Sequence, residues 1–144
     1  MEEAVLIKSF DELTLTELHD LLRLRCEVFV FEQSCAYRDI DGLDPISKHV
    51  FIKDGGGIAA YARICPEADG VFKIGRVVSK TRGEGLGMRV LRAAVEECTA
   101  LGAKEIRIEA QVYAVGFYEK AGFAVRGEAF LEDGIPHIEM RLRP

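Results

Sequence analysis

The sequence has 144 residues, 49% of them hydrophobic and 30% charged, with a net charge of −5 at pH 7. A chain of this size and composition is expected to form one globular domain, residues 1–144, with a core that needs neither disulfides nor a structural metal. The acidic balance gives no general attraction to nucleic acid or anionic lipid, no apolar run approaches the roughly 18 residues of a membrane helix, and Met1-Glu2-Glu3 has the wrong sign for a secretory signal, so the expected location is cytoplasmic. The cysteines, Cys26, Cys35, Cys65 and Cys98, show no CxxC pair and no zinc-type spacing, and read as reduced thiols.

In chain order, residues 4–8 read as a strand. Thr14-Leu15-Thr16-Glu17 forms a capping box at a helix start, and Leu18, Leu21, Leu22, Cys26 and Phe29 follow as one helical stripe ending near Phe31. Residues 32–48 are polar, contain Gly42 and Pro45, and predict a long loop of a length usually kept for functional or mobile segments. Residues 50–52 resume as a strand, Asp54-Gly55-Gly56-Gly57 is a turn, and residues 58–65 return. Asp69-Gly70 marks a second hairpin into a strand over 71–78. A helix opens near Gly85 with Leu91, Ala94, Val95, Cys98 and Leu101 on one face, and Gly102 is its left-handed cap. Residues 106–111 alternate as a strand, 114–121 form a short helix, and 123–131 and 137–142 make a hairpin about Asp133-Gly134. The order predicts a single α/β (α+β) domain with a mixed sheet of six or seven strands flanked by helices.

The chemistry concentrates after the strand 71–78, where Arg82-Gly83-Glu84-Gly85-Leu86-Gly87 opens the long helix. Backbone amides at a helix start have no intrahelical partners, the helix dipole adds positive potential, and glycines let an anion approach the backbone. Phosphate is the natural ligand. No lysine follows Gly87 as a P-loop needs, and GxGxG among strands that read as a meander is not a dinucleotide fingerprint. On these residues alone, a capped turn without a ligand stays open.

The same hexapeptide resembles the [QR]xxGxG/A acetyl-CoA loop of the GNAT superfamily of N-acetyltransferases. Gly116-Phe117-Tyr118-Glu119-Lys120-Ala121-Gly122-Phe123 resembles that superfamily's tyrosine helix followed by GF, and the segments 25–33 (RCEVFVFEQ) and 133–138 (DGIPHI) resemble its ElaA-like subgroup. The resemblance covers nearly the whole chain and implies a GNAT-like fold and acetyl-CoA as co-substrate, with no metal. It implies that the backbone of Arg76, Val77 and Val78 bonds the pantetheine arm and that the amides of Gly83, Glu84, Gly85, Leu86, Gly87 and Met88 hold the pyrophosphate. Arg82 and Arg89 would lie nearby, and Tyr118 would protonate the leaving thiolate. Ser79 and Lys80 stand where the family often has proline, and Gln111 where it often has asparagine; Gln111 can still make amide hydrogen bonds and is expected to bind the cofactor.

An amine attacks a thioester only as a free base, so a proton acceptor is required. Glu32, His49, Glu109 and His137 are candidates. His49 is expected to face the cleft, as base or as a hydrogen-bonded scaffold residue, and Glu109 shares a strand face with Gln111. Glu32, Tyr37 and His137 are assigned to the acceptor side, although each has a structural alternative: solvent exposure, loop anchoring and a hairpin contact. Asp39, Asp41 and Asp44 form either an acidic lip or, more simply, a solvated loop with turn-forming aspartates; Asp44 and Val50 stand where a calcium loop needs Gly and Glu. The expected function is transfer of acetyl to a primary amine, on a small molecule or peptide, by direct attack in a ternary complex. No nucleic-acid or membrane partner is expected, and a homodimer is compatible. The alternatives are a non-catalytic CoA-binding regulatory module and a plain interaction domain.

Overall fold

A computed structural model describes residues 4–34 and 37–144. The readings of Met1-Glu2-Glu3 and of Cys35 lie outside the described residues. The strands are β1 (Val5–Ser9), β2 (Lys48–Asp54), β3 (Gly57–Pro66), β4 (Val71–Ser79), β5 (Glu105–Gln111), β6 (Ala124–Glu132) and β7 (Ile135–Leu142). The helices are α1 (Leu15–Arg25), α2 (Leu86–Ala100) and α3 (Val115–Lys120). The strands form one mixed sheet in the order β1-β2-β3-β4-β5-β7-β6. All neighbours are antiparallel except β4 and β5.

The parallel pair follows from α2, which carries the chain across one sheet face. Val90, Leu91, Ala94 and Cys98 are fully buried there against Ala62, Ile64, Ile74, Ile106 and Ile108. Hiding Val90 and Leu91 stabilises by about 1.5–3 kcal/mol each. Leu101, expected in this stripe, is exposed because it caps the helix, which ends one residue earlier; Val90 takes its place. β5 alternates as expected, with Ile106, Ile108 and Ala110 inward and Arg107, Glu109 and Gln111 on the other face.

The other face is covered by α1 over β2, β3 and β4. Its capping box is formed: the Glu17 amide donates to Thr14 Oγ1 at 3.0 Å and the Thr14 amide to Glu17 Oε1 at 3.0 Å. The buried stripe is Glu17, Leu21, Leu24, Arg25 and Val28. The sequence reading placed it about one residue too late and included Cys26, which is exposed. Two charged residues, Glu17 and Arg25, sit inside the stripe and disguise its centre. Beyond Arg25 the helix continues as a π-helical segment over Cys26–Glu32, a form often found at functional sites. No helix among the described residues is long and apolar enough to cross a membrane.

Candidate active site

The sheet opens between β4 and β5. Only Val71, Phe72 and Lys73 pair with β5, opposite Glu105, Ile106 and Arg107. β4 runs on to Ser79 and β5 to Gln111 without pairing to each other. The cause is on β4. Tyr61 faces Val78 and Arg63 faces Gly75, so two steps along β3 oppose three along β4, a β-bulge that bends the strand and re-aims its peptide groups. Arg76 lies within it at φ +53°, a left-handed conformation that costs a non-glycine residue about 1–2 kcal/mol. Val77 and Val78 follow, partly and fully buried on opposite faces. β4 therefore presents an unpaired backbone edge to the gap.

At the end of β4 the chain turns through the exposed residues Arg82, Gly83, Glu84 and Gly85 into α2. Gly83 has φ +84° and Gly85, the N-cap, φ +75°. No side chain caps the helix. The first ladder bond runs from the Arg89 amide to the Gly85 carbonyl at 3.1 Å, which leaves the amides of Leu86, Gly87 and Met88 without intrahelical partners. A Cβ built at Gly83 or Gly85 meets nothing within 4 Å, so a ligand has room against the backbone. A Cβ at Gly87 would lie 3.6 Å from the Phe117 ring, which places the start of α2 beside α3. Next to Phe117, Tyr118 packs on the main core between Phe117 and Phe123, with edge-on ring contacts at 5.1 and 6.3 Å. Burial, reinforced by nearby Tyr113, pushes the Tyr118 phenol well above its usual range.

The far side of the gap carries the acceptor-side candidates. Gln111 at the end of β5 bonds Gln33 just beyond the π-helical segment, its Nε2 donating to Gln33 Oε1 at 3.2 Å. Glu32 is half exposed and lies 3.9 Å from Arg82 of the glycine loop. His137 is paired with Gln111 across β5 and β7. Its ring stacks on Phe130 at 6.0 Å, and Nδ1 lies 2.7 Å from the Ile135 carbonyl. Because a carbonyl only accepts, Nδ1 carries the proton. Glu109 lies on the same open face, bonded by Arg107 Nη2 at 2.9 Å and approached by Lys73 at 3.3 Å.

Two expectations are corrected. His49 does not face the cleft: it is 0% exposed. Its Nε2 lies 3.0 Å from the Asp44 carbonyl and its Nδ1 2.6 Å from the Tyr61 hydroxyl. The carbonyl fixes Nε2 as donor, so Nδ1 accepts from Tyr61, and burial keeps the ring neutral. Both nitrogens are committed to the scaffold.

The loop aspartates form no acidic lip, and only Asp41, exposed and accepting from the Leu43 amide at 3.1 Å, is the expected turn former. Asp39 and Asp44 are buried. The fully buried Arg25 donates Nε to Asp39 Oδ2 at 3.0 Å, Nη1 to Asp44 Oδ1 at 2.8 Å and Nη2 to the Asp39 carbonyl at 2.8 Å. Arg63 donates to both Asp41 oxygens at 2.9 and 2.8 Å and to Asp44 at 3.1 Å. Burial alone would raise the carboxyls of Asp41 and Asp44, but Arg63 at the first and Arg25 at the second override it and hold both well below the usual carboxylate range. Tyr37 joins this network, its hydroxyl donating to Asp39 Oδ1 and its ring lying edge-on to Phe29 at 6.4 Å, which is the loop-anchoring alternative. Arg25, Arg63 and Gln33 were not singled out from sequence. An arginine four residues after Leu21, inside an apolar stripe, was the available signal.

A bulged, unpaired strand edge, two open glycines and an uncapped helix start thus follow one another along the chain, with Phe117 and Tyr118 beside the helix start. The model of the GNAT acetyltransferase domain matches residues 17–144. The chain belongs to the GNAT acetyltransferase family. Among relatives, Escherichia coli ElaA is 40% identical over 136 residues, covering 90% of this chain and 89% of ElaA. A UPF0039 protein of Schizosaccharomyces pombe is 39% identical over 140 residues, covering 94% and 93%. Among solved structures, E. coli ElaA superposes with a TM-score of 0.90 at 36% identity, covering 97% of this chain and 99% of that one. An acyl-CoA N-acyltransferase from Pseudomonas aeruginosa reaches 0.88 at 38% identity, covering 96% and 98%. Within the GNAT family the general chemistry is acyl transfer from a CoA thioester, and this chain carries the family's sheet with all seven strands.

Proposed function

We propose that the chain, residues 1–144, is an N-acyltransferase that moves acetyl from acetyl-CoA to a primary amine by direct attack, in the cytoplasm. The observation that carries this reading is that β4, unpaired from β5 beyond Lys73, runs through two left-handed glycines directly into the uncapped start of α2. Amides of Gly83 through Met88 are the proposed diphosphate ligands, with Arg82 and Arg89 adding charge, and the unpaired edge at Arg76, Val77 and Val78 is the proposed strand-like partner of the pantetheine arm. Re-aimed β4 amides stabilise the thioester oxygen as it gains charge. Glu109, on the open face beside the gap, is the proposed acceptor of the amine proton. The new N–C bond forms as the C–S bond breaks, and the Tyr118 hydroxyl donates its proton to the departing sulfur. Gln111 is a proposed hydrogen-bonding partner of the cofactor, and Glu32, Tyr37 and His137 border the acceptor side and shape where the amine enters.

Titration calorimetry with acetyl-CoA, followed by colorimetric thiol release with a panel of small amines and peptide N-termini, tests the reading. Heat of binding and amine-dependent thiol release are expected. Binding without release from any amine reduces the protein to a CoA-binding module, and absence of both removes the proposal. Gly85→Val is expected to lose binding, because it blocks the approach to the amides and strains a left-handed cap.

A further inference from the structure

Arg76 has an outward backbone and an inward side chain. Its peptide lies in the bulge that opens the sheet, while its guanidinium reaches back over the Tyr37 ring at 5.3 Å. There Nε donates to Asp39 Oδ1 at 3.1 Å, and Nη2 donates to the Asp39 carbonyl and to Asp41 Oδ2, both at 3.2 Å. Every acceptor belongs to the loop before β2. That loop is itself fixed, since Arg25 of α1 and Arg63 of β3 hold the same aspartates from beneath. Arg63 stands opposite Gly75, next to the bulge, on the neighbouring strand. One arginine from the helix and one from the sheet thus anchor the loop, and the third ties the strained bulge to that anchor.

We propose that Arg76 is a positioning residue: by binding Asp39 and Asp41 it locks the β4 bulge to the acceptor-side loop and so sets the direction of the β4 peptide groups that receive the acyl thioester. This rests on the acyltransferase reading above. A bulge can relax by returning its extra residue to extended backbone, which would turn the following amides away from the gap. The guanidinium prevents this because its partners lie on rigid elements. It also couples the two halves of the site, since the loop that bears Tyr37 and the strand that carries the thioester cannot shift independently. The contribution is to turnover more than to capture of CoA, because the diphosphate site at the start of α2 lies on a different segment.

Arg76→Gly is the discriminating variant. Glycine removes the clamp and is free either to keep φ +53° or to leave it, so the variant adds no strain against folding while the bulge is no longer held. Calorimetry should show CoA affinity lower by no more than about tenfold, because the diphosphate site is untouched and only the pantetheine contacts of this edge weaken. Thiol release should show the larger effect on kcat, lower by roughly 30- to 100-fold, the scale expected for misplacing a reacting group. Arg76→Lys should recover part of kcat, since it keeps the charge but not the fork. Limited proteolysis should cut the loop 37–46 faster in Arg76→Gly than in wild type. A kcat within twofold of wild type in Arg76→Gly overturns the inference, as does a loss that appears wholly in CoA affinity. If Arg76→Gly does not fold, Asp41→Asn takes its place and must lower kcat by at least fivefold at preserved CoA affinity, and failure to do so overturns the inference. A wild-type protein that binds CoA yet acylates nothing removes the acyltransferase reading instead. The proteolysis comparison then decides the clamp alone: equal cutting overturns it, and faster cutting of the variant upholds it.

Discussion

Gln33 and Gln111 are 78 positions apart in sequence and meet side chain to side chain, Gln111 Nε2 donating to Gln33 Oε1 at 3.2 Å. One amide follows the π-helical segment and the other ends β5, so the bond ties the helical wall of the cleft to the strand at the mouth of the gap. Gln111→Leu leaves Gln33 without this partner. Because both side chains are only partly buried, the expected loss is about 1 kcal/mol, seen as a thermal unfolding midpoint lower by about 2–6 °C. Acetyl-CoA should raise the midpoint of the variant less than that of wild type, if Gln111 borders the ligand. An equal ligand-induced shift would confine Gln111 to a structural role.

Tyr118 supplies the second expectation. Its ring packs between Phe117 and Phe123, and its hydroxyl, protonated at neutral pH as any phenol is, is the proposed proton donor. Tyr118→Phe keeps the ring contacts and deletes the donor, so stability should change little while kcat falls by about 100-fold or more. Circular dichroism and thiol release on the same preparation separate the two effects. Turnover that survives the substitution would remove Tyr118 from the acid role.

Much of this fold is legible in the sequence because local chemistry and tertiary demand agree. Thr14 and Glu17 cap a helix that packing also requires, Gly102 stops α2 where the stripe ends, and Asp133-Gly134 supplies the two left-handed residues of a tight hairpin. The glycine loop is legible for the same reason: an uncapped helix start has a chemical meaning without any tertiary context. What stays hidden depends on partners distant in sequence. Glu17 and Arg25 lie outside the apolar stripe read from the sequence, yet both are buried, since Lys8 and Lys53 neutralise the first and Asp39 and Asp44 the second. The bulge at Arg76 is equally silent, because nothing in the tripeptide Arg76-Val77-Val78 announces a left-handed arginine; only its partners on the loop hold it there.

His49 tests the corrected assignment. Removing a buried ring that joins Tyr61 to the Asp44 carbonyl should destabilise by roughly 2–4 kcal/mol, from a cavity and two unpaired polar groups. Chemical denaturation of His49→Ala measures that. The pH dependence of turnover, taken on the folded fraction, should keep the shape of wild type. Loss of one limb of the profile in this variant would return His49 to the list of proton acceptors.

Glu17 governs stability in acid. The carboxylate is 3% exposed and bonded by Lys53 at 2.6 Å and Lys8 at 3.0 Å. Burial alone would raise its pKa, but Lys53, the Thr14 amide and Lys8 outweigh burial and hold it at about 2, against an ordinary value of 4.5. A folded-state pKa below the unfolded one means that the unfolded chain binds the proton first. The stabilisation is therefore complete above about pH 4.5 and drains away as pH falls toward 2. Its size is on the order of 2 kcal/mol once the solvent around the two half-exposed lysines is allowed for. Glu17→Gln should be less stable than wild type by about that amount at pH 7, with the gap closing steadily in urea titrations between pH 4.5 and pH 2.5. Equal stability of the two proteins across that range would mean that the helix cap, which glutamine can also form, carries Glu17's contribution, and that the charge does not.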